Sequence, residues 1–280
     1  MMVQIPTTYL NDGTEVPMIG LGTANLKGFQ GVNAIKSAIN IGYRLLDTAY
    51  NYENEGAVGR AIKESAVSRK ELFVTSKLPG RYHQYDQAIQ TIQESLYRAD
   101  LDYYDLYLIH WPNPNQDRYV EAWQALLDAK KWGLIRSAGV CNFLPEHLTR
   151  LKEETGVLPS INQVELHPYF NQNEQRQWHE QNGVMTQSWS PLALNKDLLD
   201  HEIIRLLAEK YHRTGAQIVL RWHYQLNSIS IPRSSNPKRQ LENISIFDFE
   251  LMEEDMELIN NMTLVDGRMN NLNPAEYEEF

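Results

Sequence analysis

Four polar residues in this 280-residue chain have side chains suited to proton transfer. Asp47, Lys77 and His110 each stand at the carboxyl end of a short apolar run, and Tyr52 lies in the loop after the first of these runs. A free tyrosine has a pKa of about 10 and is a weak acid at neutral pH. A neighbouring lysine ammonium stabilises the phenolate and lowers that pKa. The set therefore predicts a proton-donating phenol that is activated by a lysine.

The other two members complete this chemistry. Asp47 can pair with Lys77 and keep it charged, and His110 can hydrogen-bond a substrate carbonyl and polarise it. Such a group would protonate a carbonyl oxygen while a hydride reaches the carbonyl carbon. A pKa drop of about three units in Tyr52 would correspond to roughly 4 kcal/mol. Each residue alone also fits a structural role, such as a solvated lysine or a turn-capping aspartate, so the prediction depends on their joint placement.

The elements that must position these residues alternate along the chain. Short apolar runs are followed by amphipathic segments, which predicts parallel strands joined by helices. The predicted strands are residues 19–21, 44–47, 72–76, 106–109, 135–140, 161–164, 184–188 and 229–231. The predicted helices include one that begins at residue 145, two at residues 203–211 and 216–226, and two at residues 238–246 and 253–262. The Asp12-Gly13 pair ahead of all of them predicts a β-hairpin.

This alternation fits either an open doubly wound sheet or a closed barrel. An open dinucleotide-binding sheet would carry G-x-G-x-x-G after its first strand, and the segment that begins Gly20-Leu21-Gly22 lacks the third glycine. A dinucleotide would therefore be bound without that loop. The chain length is close to that of one (β/α)8 barrel, and we predict a single (β/α)8 TIM barrel over residues 1–280, with an N-terminal β-hairpin and two extra helices. The carboxyl ends of all barrel strands face one mouth, which would bring the four polar residues together.

The amino-acid composition limits which binding partners and which cellular compartment we expect. The formal net charge of −10 argues against a nucleic-acid surface. The single cysteine, Cys141, permits no internal disulfide, and no stretch has the pattern of a signal peptide or a membrane span. We expect a cytoplasmic monomer that acts on a small molecule and binds neither nucleic acid nor membranes.

The segment Gly42–Glu55, which contains Asp47 and Tyr52, closely resembles the signature of the aldo-keto reductase family. The similarity continues through Gly20–Thr23, Thr75–Lys77, Leu108–Pro112, Gly139–Phe143, Asn162–Pro168, Ser190–Leu192 and Ile231–Ser234. Several such segments, in order and at compatible spacing over nearly the whole chain, form a specific signal. The resemblance implies an oxidoreductase that reduces carbonyls to alcohols with a nicotinamide cofactor inside a (β/α)8 barrel.

The resemblance also implies individual roles. Tyr52 would be the general acid, Lys77 the partner that lowers its pKa, Asp47 the partner of Lys77, and His110 the residue that orients the carbonyl. Cofactor contacts are implied for Gly22, Thr23, Asp47, Cys141, Asn142, Gln163, Trp189, Ser190, Leu192, Arg233, Ser234, Arg239, Glu242 and Asn243. Tyr50 and Trp111 are expected to shape the substrate pocket.

Four of these positions indicate how tightly the cofactor is held and which cofactor is preferred. Cys141 stands where many relatives have serine, so one hydrogen bond there is expected to be weaker or absent. Trp189 stands where many have the tyrosine that stacks on the nicotinamide, and its large ring face should preserve stacking. Arg233 and Arg239 lie beside two hydroxyls in an acidic protein, which suits a 2′-phosphate and favours NADPH over NADH.

The sequence indicates the identity of the substrate less precisely than that of the cofactor. The compact length and Trp189 resemble bacterial members such as the 2,5-diketo-D-gluconate reductases, which points to sugar-derived carbonyls, α-dicarbonyls or small aldehydes. The acidic, irregular tail over residues 265–280 fits either a fraying end or a flap over the site, and its first part is expected to help shape the pocket.

Two other functions are kept as alternatives. One is a cofactor-binding regulatory or sensor protein with little turnover, which the complete set of four residues argues against. The other is a metal-dependent barrel enzyme. The sequence has no H-E-x-x-H and no paired cysteines, so no metal site is predicted.

Overall fold

The computed structural model describes residues 3–194 and 197–280. Two short strands, β1 (Thr7–Tyr9) and β2 (Glu15–Pro17), pair antiparallel across the turn at Gly13. Gly13 has a φ of 82°, a conformation that glycine adopts without steric cost. The predicted hairpin is therefore confirmed. Its residues Leu10 and Val16 pack in one apolar cluster with residues of the barrel strands, so the hairpin covers one end of the barrel interior.

Eight parallel strands follow the hairpin and pair in chain order. They are β3 (Leu21–Gly22), β4 (Leu45–Asp47), β5 (Phe73–Leu78), β6 (Tyr104–Ile109), β7 (Ile135–Cys141), β8 (Ile161–Glu165), β9 (Met185–Trp189) and β10 (Ile229–Ser230). The first and last strands meet, because Ile19 bridges Ser230 and the Gly20 amide donates to the Ser230 carbonyl at 2.9 Å. This closure confirms the predicted (β/α)8 TIM barrel. Almost all strand residues are buried, as expected where helices cover the outer face.

Helices surround the barrel and connect its strands. They are α1 (Gly28–Ile41), α2 (Glu55–Glu64), α3 (Tyr85–Ala99), α4 (Tyr119–Lys131), α5 (Pro145–Thr155), α6 (Asn173–Gln181), α7 (Asp197–Asp200), α8 (Glu202–Tyr211), α9 (Gly215–Gln225), α10 (Pro237–Ile244) and α11 (Glu253–Asn260). In the described residues, three helices, α7, α8 and α9, lie between β9 and β10, where a simple crossover needs one, and α11 follows α10. The prediction of helices beyond the eight of a simple barrel is confirmed, although α7 was not predicted. Across the described part of the chain, we find no helix with the length and apolar character of a membrane span.

Helix α6 was not predicted from the sequence. Its residues, Asn-Glu-Gln-Arg-Gln-Trp-His-Glu-Gln, offer almost no apolar periodicity. The helix instead packs through buried polar groups. The two ring nitrogens of His179 lie 2.9 Å from Thr186 Oγ1 and 3.0 Å from Asn162 Nδ2, and Gln175 Nε2 donates to the Phe143 carbonyl at 2.6 Å. These bonds satisfy the polar groups that this helix buries.

Candidate active site

The strand ends bring the four predicted residues together at the barrel mouth. Asp47 is the last residue of β4, Lys77 lies in β5, and His110 directly follows β6. Lys77 Nζ donates to Asp47 Oδ1 at 2.6 Å, and both side chains are almost completely buried. The same ammonium lies 4.9 Å from the centre of the Tyr52 ring, and the rings of Tyr52 and His110 are 6.0 Å apart in an edge-on arrangement. A carboxylate, an ammonium, a phenol and an imidazole therefore share one site.

Hydrogen bonds fix the ion pair in place. Lys77 Nζ also donates to the Thr48 carbonyl at 2.8 Å. The second carboxylate oxygen of Asp47 accepts from Gln163 Nε2 at 2.8 Å, and the same amide lies 2.8 Å from Gln187 Oε1. A buried ion pair is stable only when its remaining hydrogen-bonding capacity is met, and these contacts meet it. The ammonium cannot move away from Tyr52 without breaking this network.

The electrostatics of Tyr52 differ from the prediction. Burial raises the pKa of Tyr52, the ammonium of Lys77 lowers it, and the carboxylate of Asp47 raises it again, so the net pKa lies above its ordinary value. The expected net lowering is therefore wrong, because desolvation of the phenolate outweighs the lysine. Burial alone would lower the pKa of Lys77, but Asp47 and Tyr52 raise it above its ordinary value. Tyr52 is thus a neutral phenol beside a permanent cation.

A cleft of about 650 Å³ opens from this group. Its lining comprises Gly22, Thr23, Ala24, Asn25, Asp47, Tyr52, His110, Trp111, Asn142, Gln163, Trp189, Ser190, Pro191, Leu192, Ala193, Leu194, Ile231, Pro232, Arg233 and Arg239. The cleft therefore joins three of the four predicted catalytic residues to most of the residues predicted for the cofactor. Lys77 lies beneath it, in contact with Asp47.

Asn142 and Trp189 connect the two parts of the cleft. Asn142 Nδ2 donates to the His110 carbonyl at 3.0 Å, and Trp189 Nε1 donates to Asn142 Oδ1 at 2.8 Å. Asn142 has a φ of 61°, a left-handed conformation that asparagine tolerates better than most residues. The donor is the indole N–H, and a tyrosine ring has no donor at that position because its only donor is the para hydroxyl.

Two unpaired arginines lie at the far end of the cleft. Arg233 and Arg239 are exposed, and among residues 3–194 and 197–280 neither forms an ion pair. Arg233 Nη1 donates to the Ala24 carbonyl at 3.3 Å. Between the arginines, Asn236 caps α10 by accepting from two backbone amides. Two exposed guanidinium groups in a chain of net charge −10 suit an anionic phosphate.

At Gly22, the backbone of the loop after β3 lies very close to the backbone at Ile231. A Cβ on Gly22 would lie 2.7 Å from the Ile231 carbonyl oxygen, so any larger residue would force the loops apart. The neighbouring Thr23 donates through both its amide and its hydroxyl to the Asp47 carbonyl, each at 2.9 Å. These contacts tie the loop after β3 to Asp47, and the set as a whole fits a dinucleotide that runs from Trp189 to Arg239.

Some predicted site residues lie outside the cleft. The hydroxyl of Tyr50 accepts from Arg98 at 2.7 Å, and its ring packs on Tyr82. Cys141 is buried in an apolar cluster. Glu242 accepts from Thr214 Oγ1 at 2.7 Å, and Asn243 is buried on α10. In a separate turn, Ser234 Oγ accepts from the Asn236 amide at 3.1 Å.

Glu279 is a site residue that sequence reasoning missed. Residues 277–280, here called the cap segment, pack over the barrel mouth as a flap. The carboxylate of Glu279 lies 2.7 Å from His110 Nδ1 and is largely buried. Only the acidic composition of the tail pointed to this region, and composition does not specify where a flap docks. No cluster of three or more metal-ligating His, Cys, Asp or Glu side chains occurs in the portion of the chain that the structure describes.

The closed barrel and the four-residue group at its mouth define a barrel oxidoreductase of the carbonyl-reducing class. The model of the Aldo/keto reductase family matches residues 18–263. The chain belongs to the aldo/keto reductase family, and the family and enzyme class predicted from the sequence are confirmed.

Named relatives are similar over nearly their full length. The chain is 49% identical over 279 residues to 2,5-diketo-D-gluconic acid reductase B of a Corynebacterium species, with 100% of both chains covered. It is 45% identical over 248 residues to the methylglyoxal reductase DkgA of Escherichia coli K12, covering 88% of this chain and 90% of the relative. The structure of a mutant of Gox0644 in complex with NADPH has a TM-score of 0.93 at 41% identity, covering 98% of this chain and 99% of that one.

Proposed function

We propose that this protein reduces small carbonyl compounds to alcohols with NADPH, and that Tyr52 is the general acid. The observation that carries the proposal is the buried Lys77–Asp47 pair, 2.6 Å apart, beside Tyr52 at the floor of the cleft. A buried cation beside a neutral phenol carries a desolvation cost that the fold alone does not require. It is useful when the phenol must give up its proton.

The chain's own residues handle the proton. Tyr52 donates its hydroxyl proton to the carbonyl oxygen as negative charge develops there. The resulting phenolate is stabilised by Lys77, which Asp47 and the Thr48 carbonyl hold in place. His110 hydrogen-bonds the same substrate oxygen and polarises the carbonyl. A bound NADPH supplies the hydride that the carbonyl carbon receives.

The rest of the cleft would hold the cofactor. Asn142 and Gln163 offer amide groups for the nicotinamide carboxamide, and Trp189 offers a ring face for stacking. Arg233 and Arg239 would hold the 2′-phosphate, because both are free of carboxylate partners in the described residues. The solved complex of the similar protein Gox0644 with NADPH supports this assignment. Of the other predicted contacts, Ser190 and Leu192 line the same cleft, whereas Ser234, Glu242 and Asn243 lie outside it.

For the substrate, we propose sugar-derived carbonyls, α-dicarbonyls or small aldehydes. The names of the relatives, a diketogluconic acid reductase and a methylglyoxal reductase, support compact substrates rich in oxygen. Trp111 lines the cleft beside His110 and packs against Tyr277, with ring centres 4.5 Å apart. It therefore forms a rigid wall for the substrate. Tyr50 is held away from the cleft by Arg98, so it would act only indirectly.

The test compares Tyr52→Phe with Tyr50→Phe by following loss of reduced-nicotinamide absorbance with methylglyoxal, diketogluconate and simple aldehydes. Tyr52→Phe should lower kcat by about 10²–10⁴-fold, because it removes the proton donor while leaving the ring in place. NADPH binding, measured by quenching of tryptophan fluorescence, should persist. Tyr50→Phe, the matched control two positions away, should keep the parental kcat. Parental turnover by Tyr52→Phe would overturn the assignment, and NADPH binding without turnover by the parent would favour a sensor.

We further propose that residues 1–280 act as one domain and as a monomer in the cytoplasm. All proposed site residues come from one chain and one barrel, so the site needs no second copy. The only cysteine is buried as a free thiol, which suits a reducing compartment. Sedimentation at micromolar concentration should show a mass near 32.5 kDa.

A further inference from the structure

Two glutamines lie side by side on neighbouring strands of the barrel. Gln163 in β8 and Gln187 in β9 are paired in register on parallel strands, and both side chains are buried. Residues paired in this way point to the same side of a sheet. Gln163 lines the cleft, whereas Gln187 does not. Gln187 can therefore act on a molecule in the cleft only through Gln163.

The nitrogen of the Gln163 amide is fully engaged. Nε2 donates to Asp47 Oδ2 and to Gln187 Oε1, each at 2.8 Å. A primary amide nitrogen carries two hydrogens, so both are used. The other carboxylate oxygen of Asp47 accepts from Lys77 Nζ at 2.6 Å. Within residues 3–194 and 197–280, Gln163 Oε1 accepts no hydrogen bond, and this oxygen is therefore left for the cleft that Gln163 lines.

The neighbouring groups fix the direction of each amide. An ion-paired carboxylate only accepts hydrogen bonds, so Asp47 requires the nitrogen of Gln163 and excludes its oxygen. Gln187 must then present its oxygen to the second N–H of Gln163, because its nitrogen would place donor against donor. This arrangement leaves Gln187 Nε2 buried, and it has no hydrogen-bond partner in the described part of the chain. A buried unpaired donor destabilises a fold, and an apolar side chain at this position would avoid that cost.

We propose that Gln187 is a positioning residue that, together with Asp47, turns the Gln163 amide so that it presents only an acceptor, Oε1, to the nicotinamide carboxamide. This inference rests on the proposed function, in which Gln163 contacts that carboxamide. An acceptor at this place binds the amide N–H of the carboxamide and not its carbonyl oxygen. One carboxylate, that of Asp47, then holds both the ammonium beside Tyr52 and the amide that contacts the hydride donor. The proton donor and the nicotinamide are thereby fixed relative to each other.

The test compares the Kd values of two reduced cofactors, measured by calorimetry. One is NADPH, and the other is its 3-acetylpyridine analogue, in which a methyl group replaces the amide nitrogen of the carboxamide. The parent should bind the analogue about 5–100-fold more weakly than NADPH, because Gln163 Oε1 then faces no donor. This ratio of Kd values is here called the amide preference. Gln163→Met removes the acceptor and should bring the amide preference to within about twofold of unity.

Gln187→Met keeps the length of the side chain and removes the hydrogen bond to Gln163. The Kd for NADPH should rise by about 2–10-fold while the Kd for the analogue changes by less than about twofold, so the amide preference should fall. Gln225→Met is the matched control, because the Gln225 amide bonds to the backbone of Leu251 and does not line the cleft. It should leave the amide preference at the parental value.

A merely structural role for Gln187 would weaken the binding of both cofactors equally, and that result would overturn the inference. An unchanged Kd for NADPH in Gln187→Met, or a parent without an amide preference, would overturn it as well. Gln187→Glu is a second variant, whose protonated carboxyl has the shape of the amide and keeps an acceptor oxygen. It should retain the parental amide preference, and its loss there would contradict the proposed role. If the parent binds NADPH but reduces no carbonyl, the proposed turnover fails, and the amide preference still decides whether Gln187 acts through Gln163.

Discussion

The two ends of the cleft handle charge in opposite ways. At the catalytic end, the charges of Lys77 and Asp47 are buried, paired at 2.6 Å and surrounded by further hydrogen bonds. At the other end, the proposed phosphate end, Arg233 and Arg239 are exposed and have no carboxylate partner in the described residues. The first arrangement is complete in the protein alone, whereas the proposed cofactor phosphate would complete the second.

This contrast separates chemistry from affinity. A preorganised buried group costs no rearrangement when charge develops in the reaction, so its loss should appear in kcat. Free exposed cations interact with a ligand in a screened environment, so their loss should appear in the Kd of the cofactor and should depend on salt. Substitutions at the two ends should therefore have effects that do not overlap.

The largest effect is expected for Lys77→Met. It leaves Asp47 buried without its counter-ion, which should lower the free energy of unfolding by about 3–5 kcal/mol. It also removes the cation beside Tyr52, so kcat should fall by about 10²–10⁴-fold. Urea unfolding and steady-state turnover measure the two losses.

Lys63→Met provides the control for the burial argument. Lys63 pairs with Asp100 at 2.9 Å, but both side chains are mostly exposed. Breaking such a pair should change the free energy of unfolding by only about 0–1 kcal/mol. If the two variants lose similar stability, burial and hydrogen bonding do not strengthen the Lys77–Asp47 pair.

The second prediction concerns the phosphate end. Arg239→Met should raise the Kd for NADPH by about 10–100-fold, since one charge-assisted hydrogen bond contributes about 1.5–3 kcal/mol. The Kd for NADH should stay unchanged, because NADH lacks the 2′-phosphate that Arg239 would contact. The kcat at saturating cofactor should stay unchanged as well. The salt dependence of NADPH binding should also become shallower.

Lys238→Met is the matched control, because Lys238 is the exposed neighbour of Arg239 and does not line the cleft. It should bind NADPH with close to the parental Kd. An equal loss in both variants would mean that the arginine acts through general charge rather than through a defined contact.

The sequence predicted the catalytic end better than its surroundings, for a physical reason. Strand ends are marked by short apolar runs, and a parallel barrel necessarily gathers those ends at one mouth. Asp47, Lys77 and His110 were therefore placed by periodicity alone. Helix α6, whose buried face is polar, offered no such pattern and was missed.

The sequence alone did not indicate which way individual side chains point or which distant segments contact the site. Tyr50 and Tyr52 lie in one short 3₁₀ turn, where each residue advances about 120° and two positions separate their side chains by about 240°. Only Tyr52 faces the cleft. Glu279 contacts His110 although the two residues are 169 positions apart in the chain (279 − 110). No local feature of either segment predicts that contact. The net pKa of Tyr52 likewise depends on burial, which spacing does not reveal.

The third prediction tests how deeply buried the catalytic end is. His83, near Glu279, is buried, and neither of its ring nitrogens has a hydrogen-bond partner in the described structure. Burial lowers its pKa from 6.5 to about 4, so the unfolded chain binds a proton in that range that the folded chain excludes. The free energy of unfolding should therefore fall as pH drops from 6.5 to about 4, by about 1.4 kcal/mol per pH unit for this residue.

His83→Leu should remove that part of the slope. Urea unfolding of both proteins at several pH values between about 7 and 4 would show the parent losing stability faster. His179 and His223, whose pKa values burial also lowers, to about 3, contribute equally to both proteins and cancel. The exposed His212→Asn is the control and should keep the parental slope. Identical slopes in parent and His83→Leu would place His83 in contact with water.

The smallest effect is expected for Trp189→Tyr, at the residue that joins the two ends. Tyrosine keeps a ring face for stacking but loses the indole N–H that donates to Asn142 Oδ1 at 2.8 Å. One neutral hydrogen bond contributes about 0.5–1.5 kcal/mol, so the Kd for NADPH should rise by about 2–10-fold while kcat changes less. Trp189→Phe should behave like Trp189→Tyr if the lost N–H is the cause. A drop in kcat as large as that of Lys77→Met would contradict the separation of affinity from chemistry, because it would mean that the ring and its bond to Asn142 position the reacting groups and not merely the cofactor.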